Sequence, residues 1–288
     1  MAKILLLGCG DLGRKLAVRL IAAKHAVIAV KRSPLKFPLA GLQVVLADIT
    51  AEQSVKKIPT DVDIVVFVLS PSQRNKAAYQ SLYEQGLLNV LSHFTHASSS
   101  TSGARPRCLL VSSTSVYGQD NGEWVDEESP AQASSFNGKA LVQAEQQLWA
   151  HCADNIVVRF SGIYGRGRES LLRRVREGKP VQYDPPCYSN RIHEEDCLGI
   201  LCFLIDRALF NKPLENLYLA SDSAAVPLAE VALWLSELMT CPPPPARPAN
   251  LALKGMNKRC RNDRLLGLGY ALRYRSYREG YGELLEST

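Results

Sequence analysis

The chain has 288 residues, 46% hydrophobic and 22% charged. That globular balance excludes a disordered or collagen-like polypeptide and leaves room for one large domain with an appended lobe. The net charge of +6 suits anionic small molecules and is too weak and dispersed to imply nucleic acid by itself. The longest apolar stretches, Ile64–Leu69 and Leu198–Ile205, fall far short of the run of about 20 that a membrane-spanning helix needs. Ile4–Leu7, behind Lys3, is too short for a signal peptide. Eight cysteines contain no CxxC pair, and most stand in apolar surroundings, where a reduced thiol behaves as a small hydrophobe. A soluble, cytoplasmic protein is expected.

Lys3–Gly8 is a short apolar run ending in glycine, followed by helical spacing at Leu12, Leu16, Leu20 and Ile21 and a second β-rich run at Ala26–Val30. This is a βαβ unit. Alternation continues with a strand at Gln43–Ala47, a polar helix near Ala51–Lys57, a strand at Val62–Leu69, one long helix near Asn75–His96 and a strand at Arg107–Ser112. A helix at Gly138–Cys152 and a strand at Ile156–Phe160 complete six strands. The fully apolar strand at Ile64–Leu69 fits a parallel sheet covered by helices on both faces. The fold class is therefore α/β, a doubly wound Rossmann sheet. Beyond Ser161 the rhythm changes: a basic helix near Glu169–Glu177, a Tyr/Pro-rich loop at Tyr183–Tyr188, helices at Glu194–Leu209 and Val226–Met239, and an extended proline run at Pro242–Pro245. The expected organisation is a Rossmann domain over 1–160, with 191–220 returning to it, and a smaller substrate lobe from 161–190 and 221–288. Ser98–Arg107 is expected to be an exposed Ser/Gly/Pro loop.

Gly8-Cys9-Gly10-Asp11-Leu12-Gly13 follows a strand and opens a helix inside a βαβ unit, the context that makes GxGxxG a dinucleotide fingerprint. Gly8 permits the tight turn, Gly10 lets backbone approach a pyrophosphate, and Gly13 allows close helix–strand packing, with phosphates at the helix N-terminus. Where an NAD-selective site carries an acid for the ribose 2′-hydroxyl, this chain has Lys31-Arg32-Ser33, and no carboxylate occurs between Lys24 and Ala47. Two cations and a hydroxyl suit a 2′-phosphate, so NADP is expected over NAD.

These residues resemble the extended and atypical short-chain dehydrogenase/reductases, the NAD-dependent epimerase/dehydratase-like proteins. Asp48 in Leu46–Ile49 looks like the family's adenine-contacting acid, and Leu69-Ser70-Pro71 stands where the chain passes the cofactor. Ser112-Ser113-Thr114-Ser115-Val116-Tyr117-Gly118 is similar to the family's SS-x-x-VYG segment. Arg159–Gly165 is similar to its R-x-x-x-I-Y-G motif, and Arg191–Asp196 to R-I-H-x-x-D. The resemblance implies dinucleotide-dependent oxidoreductase or epimerase chemistry on a small anionic or sugar-nucleotide-like substrate, with no nucleic-acid or membrane partner, and a homodimer is the usual expectation.

The family's Tyr-x-x-x-Lys is missing: the register before Val142-Gln143-Ala144-Glu145 puts Asn137 at the tyrosine position and Leu141 at the lysine position. Ser113 matches the catalytic Ser/Thr. In the intact triad the tyrosine pKa falls from about 10 so that its phenolate can exchange a proton, which an asparagine cannot do. Lys139 lies about 200° around the helix from the vacant lysine position. Tyr117, Tyr164 and His193 are the candidate replacements, each with an alternative as a packing or hydrogen-bonding residue. If none of them serves, the chain is a non-catalytic NADP(H)-binding sensor or scaffold. Arg166, Arg168, Arg173, Arg174, Arg176 and Lys179 form a basic stretch, read as a solvated helix face or a substrate-anion contact. A second basic group, Lys254, Lys258, Arg259, Arg261 and Arg264, lacks any nucleic-acid motif. His93 and His96 are three apart without a completing ligand, so no metal is expected and both read as exposed helix-end histidines.

Overall fold

The computed structural model describes residues 1–100, 105–248 and 257–286. In chain order the first elements are β1 (Lys3–Leu7), α1 (Asp11–Ala22), β2 (Ala26–Lys31), β3 (Leu42–Leu46), α2 (Glu52–Val55), β4 (Ile64–Phe67), α3 (Lys76–Tyr79), α4 (Leu87–Ser100) and β5 (Arg107–Ser113). Then come β6 (Glu123–Val125), α5 (Phe136–His151), β7 (Ile156–Phe160), β8 (Gly162–Tyr164), α6 (Ser170–Arg176), β9 (Tyr188–Ser189) and β10 (Arg191–His193). The last are α7 (Glu194–Leu209), β11 (Leu217–Ala220), β12 (Val226–Pro227), α8 (Leu228–Leu238), β13 (Lys258–Cys260), α9 (Asp263–Gly267) and α10 (Tyr277–Glu286).

Seven strands form the central parallel sheet in the order β11-β7-β5-β4-β1-β2-β3. This is the Rossmann α/β architecture, with the order reversing beside β1, where a doubly wound sheet opens its ligand crevice. Ile4, Leu5, Leu6 and Leu7 are wholly buried, as are Val65, Val66 and Phe67, because helices cover both faces. The seventh strand, Leu217–Ala220, corrects the expected six: four residues without alternation carry too little pattern to be told from loop.

The single helix expected near Asn75–His96 is three consecutive stretches, α3, a π-helical segment at Gln80–Gly86, and α4. Asn75 caps the first, its Oδ1 accepting from Ala78 N at 2.9 Å. The helix runs on to Ser100, so the expected loop at Ser98–Arg107 begins later, and residues 101–104 lie outside those described. His93 is half-buried within α4 and its Nε2 pairs with Ile58 O at 2.9 Å, which corrects its reading as an exposed helix-end residue.

By contact density the chain divides into two compact units. The first comprises 1–116, 133–159 and 198–218; the second comprises 117–132, 160–197 and 219–288. Residues 117–132, expected in the Rossmann domain, belong to the second unit because β6 pairs in parallel with β13. The second unit has its own core, in which Leu172 and Val175 of α6, Val231 and Leu235 of α8, and Tyr277 and Tyr281 of α10 pack together with Tyr164. Its proline run is pinned at two carbonyls: Val181 N donates to Pro245 O at 3.0 Å and Tyr183 Oη to Pro244 O at 2.7 Å.

Candidate functional site

The chain turns from β1 into α1 through Gly8, whose φ of +101° is accessible to glycine at little cost. A Cβ there would strike Val68 O, and one at Gly13 would strike Gly8 O, so both glycines are demanded by the packing of loop, helix and β4. Gly10 differs. A Cβ at Gly10 would meet no protein atom within 4 Å, although Gly10 lines an open cleft. Gly10 caps α1 without any side-chain hydrogen bond, leaving the first-turn N–H groups of a twelve-residue helix to other acceptors.

The cleft is lined by Gly8, Cys9 and Gly10 from the loop, Val30–Ser33 at the end of β2, Ala47–Ile49 after β3, Val68–Ser70 after β4, and Leu82. Gly8, Gly10, Lys31, Arg32, Ser33, Asp48, Leu69 and Ser70 are thus brought together. Asp11, Leu12, Gly13 and Ser112 do not line it: Gly13 and Leu12 are packed inside, and Asp11 pairs with Lys15 at 3.2 Å. Cys9 and Leu82 are lining residues that sequence reasoning passed over. Cys9 carries no ligand signal of its own, and Leu82 reaches the cleft from the π-helical segment, which no periodicity announces.

Local bonds set the lining. Asp48 Oδ1 accepts from Thr50 N at 3.0 Å and Thr50 Oγ1 at 2.8 Å, while Asp48 N donates to Ser54 Oγ at 2.9 Å. Tyr83 Oη donates to Leu69 O at 2.8 Å, holding the chain that leaves β4. Arg14 Nη1 donates to Phe37 O at 2.7 Å, tying α1 to the loop after Ser33.

At the end of β5, alternation sends Ser112 and Ser113 to opposite sides. Ser112 Oγ is buried and donates to Glu145 Oε1 at 2.6 Å. Ser113 is half-buried; its Oγ accepts from Ser115 N at 3.2 Å and keeps its own proton to donate. Ser135 caps α5, its Oγ accepting from Gly138 N at 3.3 Å, so the helix starts two residues before the expected Gly138. A Cβ on Gly138 would collide with Ser115 O, so the first turn of α5 sits hard against residues 114–116. That turn carries Asn137, half-buried, while Leu141 is 5% exposed and Lys139 is exposed.

The three candidate replacements for the missing tyrosine lie in the second unit and are buried there. Tyr117 Oη donates to Asp126 O at 2.6 Å. Tyr164 stacks on Tyr281 with ring centroids 4.3 Å apart, and its buried hydroxyl has no hydrogen-bond partner. Burial pushes its pKa above the usual phenol value. His193 Nδ1 accepts from Glu195 N at 3.2 Å, its ring lies 5.1 Å edge-on to Tyr164, and burial lowers its pKa. Asp196 is fully buried; its carboxylate accepts from Arg273 N at 2.7 Å, Tyr274 N at 3.0 Å and Tyr270 Oη at 3.2 Å. Arg173, Arg174 and Arg176 of the basic stretch are exposed. Lys258 is not surface charge, being 2% exposed, and Lys254 lies outside the described residues.

No helix among the described residues is long and apolar enough to cross a membrane. No curated protein matches this sequence. Among solved structures, a Methylobacillus flagellatus protein classed with the NAD-dependent epimerase/dehydratases is 36% identical, with TM-score 0.82 over 99% of this chain and 98% of that one. Two others share the fold at lower identity. One is dTDP-glucose 4,6-dehydratase from Bacillus anthracis in complex with NAD, 16% identical, TM-score 0.78, covering 99% and 96%. The other is the human epimerase family protein SDR39U1 with NADPH, 19% identical, TM-score 0.75, covering 99% and 100%. The family model described as the NAD dependent epimerase/dehydratase family matches residues 4–190. With that match spanning the glycine loop, the serine segment and the Arg159–Gly165 motif, the chain belongs to the NAD-dependent epimerase/dehydratase family.

Proposed function

We propose that this chain is an NADP(H)-dependent oxidoreductase or epimerase acting on an anionic or sugar-nucleotide-like substrate. The observation that carries the cofactor choice is the cleft rim, where Lys31, Arg32 and Ser33 stand at the end of β2 without a carboxylate on that strand or the loop after it. Arg32 and Lys31 neutralise a 2′-phosphate and Ser33 adds a hydroxyl donor. Gly10 supports the same reading: its missing side chain leaves open space that no protein atom uses, the room a pyrophosphate needs beside the start of α1. Asp48 Oδ2 is left to accept from an amine such as that of adenine, since the Thr50 bonds go to Oδ1.

A nicotinamide ring, when bound, gives or takes a hydride. Ser113 is proposed to donate its hydroxyl proton as a hydrogen bond to the substrate carbonyl, polarising it while Ser115 N fixes the oxygen. Asn137, at the first turn of α5, can orient a hydroxyl through its amide but cannot pass a proton. Tyr117, Tyr164 and His193 remain the proposed sources of that proton, although each is buried in the second unit.

A second reading, a non-catalytic NADP(H)-binding sensor, is favoured by Asn137 and Leu141 standing where the family carries tyrosine and lysine. Fluorescence titration tests the cofactor: NADPH is expected to bind more tightly than NADH, and Arg32→Asp to narrow or invert the gap, whereas equal affinities defeat the proposal. Incubation with NADPH and a panel of carbonyl compounds and sugar nucleotides separates the two readings, because turnover abolished by Ser113→Ala sinks the sensor.

A further inference from the structure

Lys258 is the one buried lysine among the described residues, 2% exposed on β13. Its ammonium offers three donors. Among the described residues its one hydrogen bond is long, 3.5 Å, to Tyr117 O. No carboxylate pairs with it among the described residues, and the remaining residues contain no Asp or Glu. Cys260, two residues on, gives no counter-charge, because burial pushes its thiol up to about 12. Burial also presses the Lys258 ammonium below its ordinary value.

The backbone around this side chain is held firmly. Asn190 Nδ2 donates to Lys258 O at 2.8 Å, and Asn190 Oδ1 accepts from Cys260 N at 2.8 Å. Asn257 Oδ1 accepts from Tyr188 N at 2.7 Å. Asp196, a fully buried acid of the same unit, has three donors on its carboxylate, where the Lys258 ammonium has one distant acceptor. A buried amine with two unanswered N–H groups on a firmly held backbone costs the free protein stability. A buried charge kept without its partners is a candidate functional group, since binding sites are where such arrangements gather.

We propose that Lys258 anchors an anionic group of the ligand, a phosphate or a carboxylate, in the second unit. This rests on the reading of the substrate as anionic. The four-carbon stem lets Nζ swing from beside Tyr117 O to meet the anion, which supplies the missing acceptors and holds the amine protonated.

The test uses the full chain and Lys258→Met, which keeps the volume and removes the charge. Uridine diphosphate and inorganic phosphate serve as phosphate probes and glucuronate as the carboxylate probe, each titrated calorimetrically, with NADPH as control. At least one probe is expected to bind wild type and to lose tenfold or more in affinity in Lys258→Met, while Lys258→Arg retains binding. NADPH affinity stays unchanged and the ligand-free Tm of Lys258→Met equals or exceeds that of wild type. A Met variant that unfolds or melts earlier marks a structural lysine and overturns the proposal. So does anion binding that survives the substitution, or wild type that binds NADPH and none of the three anions. Failure of NADPH itself to bind wild type counts instead against the cofactor reading.

Discussion

The Arg159 guanidinium grips the Glu145 carboxylate with two bonds, Nε to Oε1 at 3.1 Å and Nη2 to Oε2 at 2.6 Å, and both side chains are hidden from water. Ser112 Oγ donates to the same Oε1. The three residues come from β7, α5 and β5, so the network clamps the helix that carries Asn137 to the strand end that carries Ser113. Removing one partner strands a buried charge, at a typical cost of about 3–5 kcal/mol. Arg159→Leu is expected to lose stability on that scale in urea unfolding, and Arg159→Leu/Glu145→Leu to recover part of it. A single substitution costing under about 1 kcal/mol would mean that water already reaches the pair.

Arg14 adjoins the proposed cofactor cleft from outside its lining. Its bond to Phe37 O restrains a loop whose Phe37 is 71% exposed and has little packing to order it. Arg14→Ala is expected to weaken NADPH binding about threefold to tenfold, the scale of one hydrogen bond, and NADH binding less, because NADH brings no 2′-phosphate to that rim. Parallel titrations with both nucleotides check this; equal losses would place the effect on the glycine loop instead.

Local features of the fold were legible in the sequence, and features made by distant pairing were not. Gly8–Gly13, Lys31–Ser33 and Asp48 could be placed because each follows an apolar strand and the ends of β1, β2 and β3 converge on one crevice. The Glu145–Arg159 pair could not be read, since both residues sit inside family motifs that say nothing of which partner each will meet. Lys258 misled for the opposite reason: in Lys258-Arg259-Cys260-Arg261 it counts as surface charge, and only the folded chain, which buries it although its partner in register, Glu123, is exposed, shows it to be internal. The break of the Asn75–His96 helix into a π-helical turn leaves the apolar spacing intact, so pattern alone cannot disclose it.

Asp222 should make the stability of the second unit fall toward neutral pH. It is 2% exposed, its Oδ1 accepts from Ala224 N at 3.2 Å, and its Oδ2 has no partner. Burial raises its pKa from 3.8 to about 7, against the opposing pull of Arg191 and the bond from Ala224 N, with Asp196 and Glu279 adding to the rise. An acid with a raised native pKa is protonated more in the folded state, so its contribution is most favourable near pH 4. That contribution is lost progressively up to about pH 7 and is constant above it. Asp222→Asn, which cannot ionise, is expected to gain on wild type by a few kcal/mol between pH 4.5 and 7.5 in urea unfolding. A difference that stays flat across that window would show Asp222 ionised in the folded protein, with Arg191 as its effective counter-ion.

Gly280 and Tyr164 form a contact in which neither residue has room to change alone. A Cβ on Gly280 would run into Tyr164 Oη, with the ring carbon Cζ only 2.7 Å away. The ring cannot yield, being stacked on Tyr281 and set edge-on to His193. Gly280→Ala should therefore overpack α10 against the lobe, with a loss of about 1–3 kcal/mol. Tyr164→Phe removes a buried hydroxyl that has no partner, so by itself it should be neutral or slightly stabilising. Combined with Gly280→Ala it should restore part of the loss, because the atom nearest the new methyl is gone. Thermal unfolding of the two single variants and the double measures the coupling. If Tyr164→Phe costs more than about 1 kcal/mol, the hydroxyl has a partner such as a bound water, and a proton route through Tyr164 regains weight.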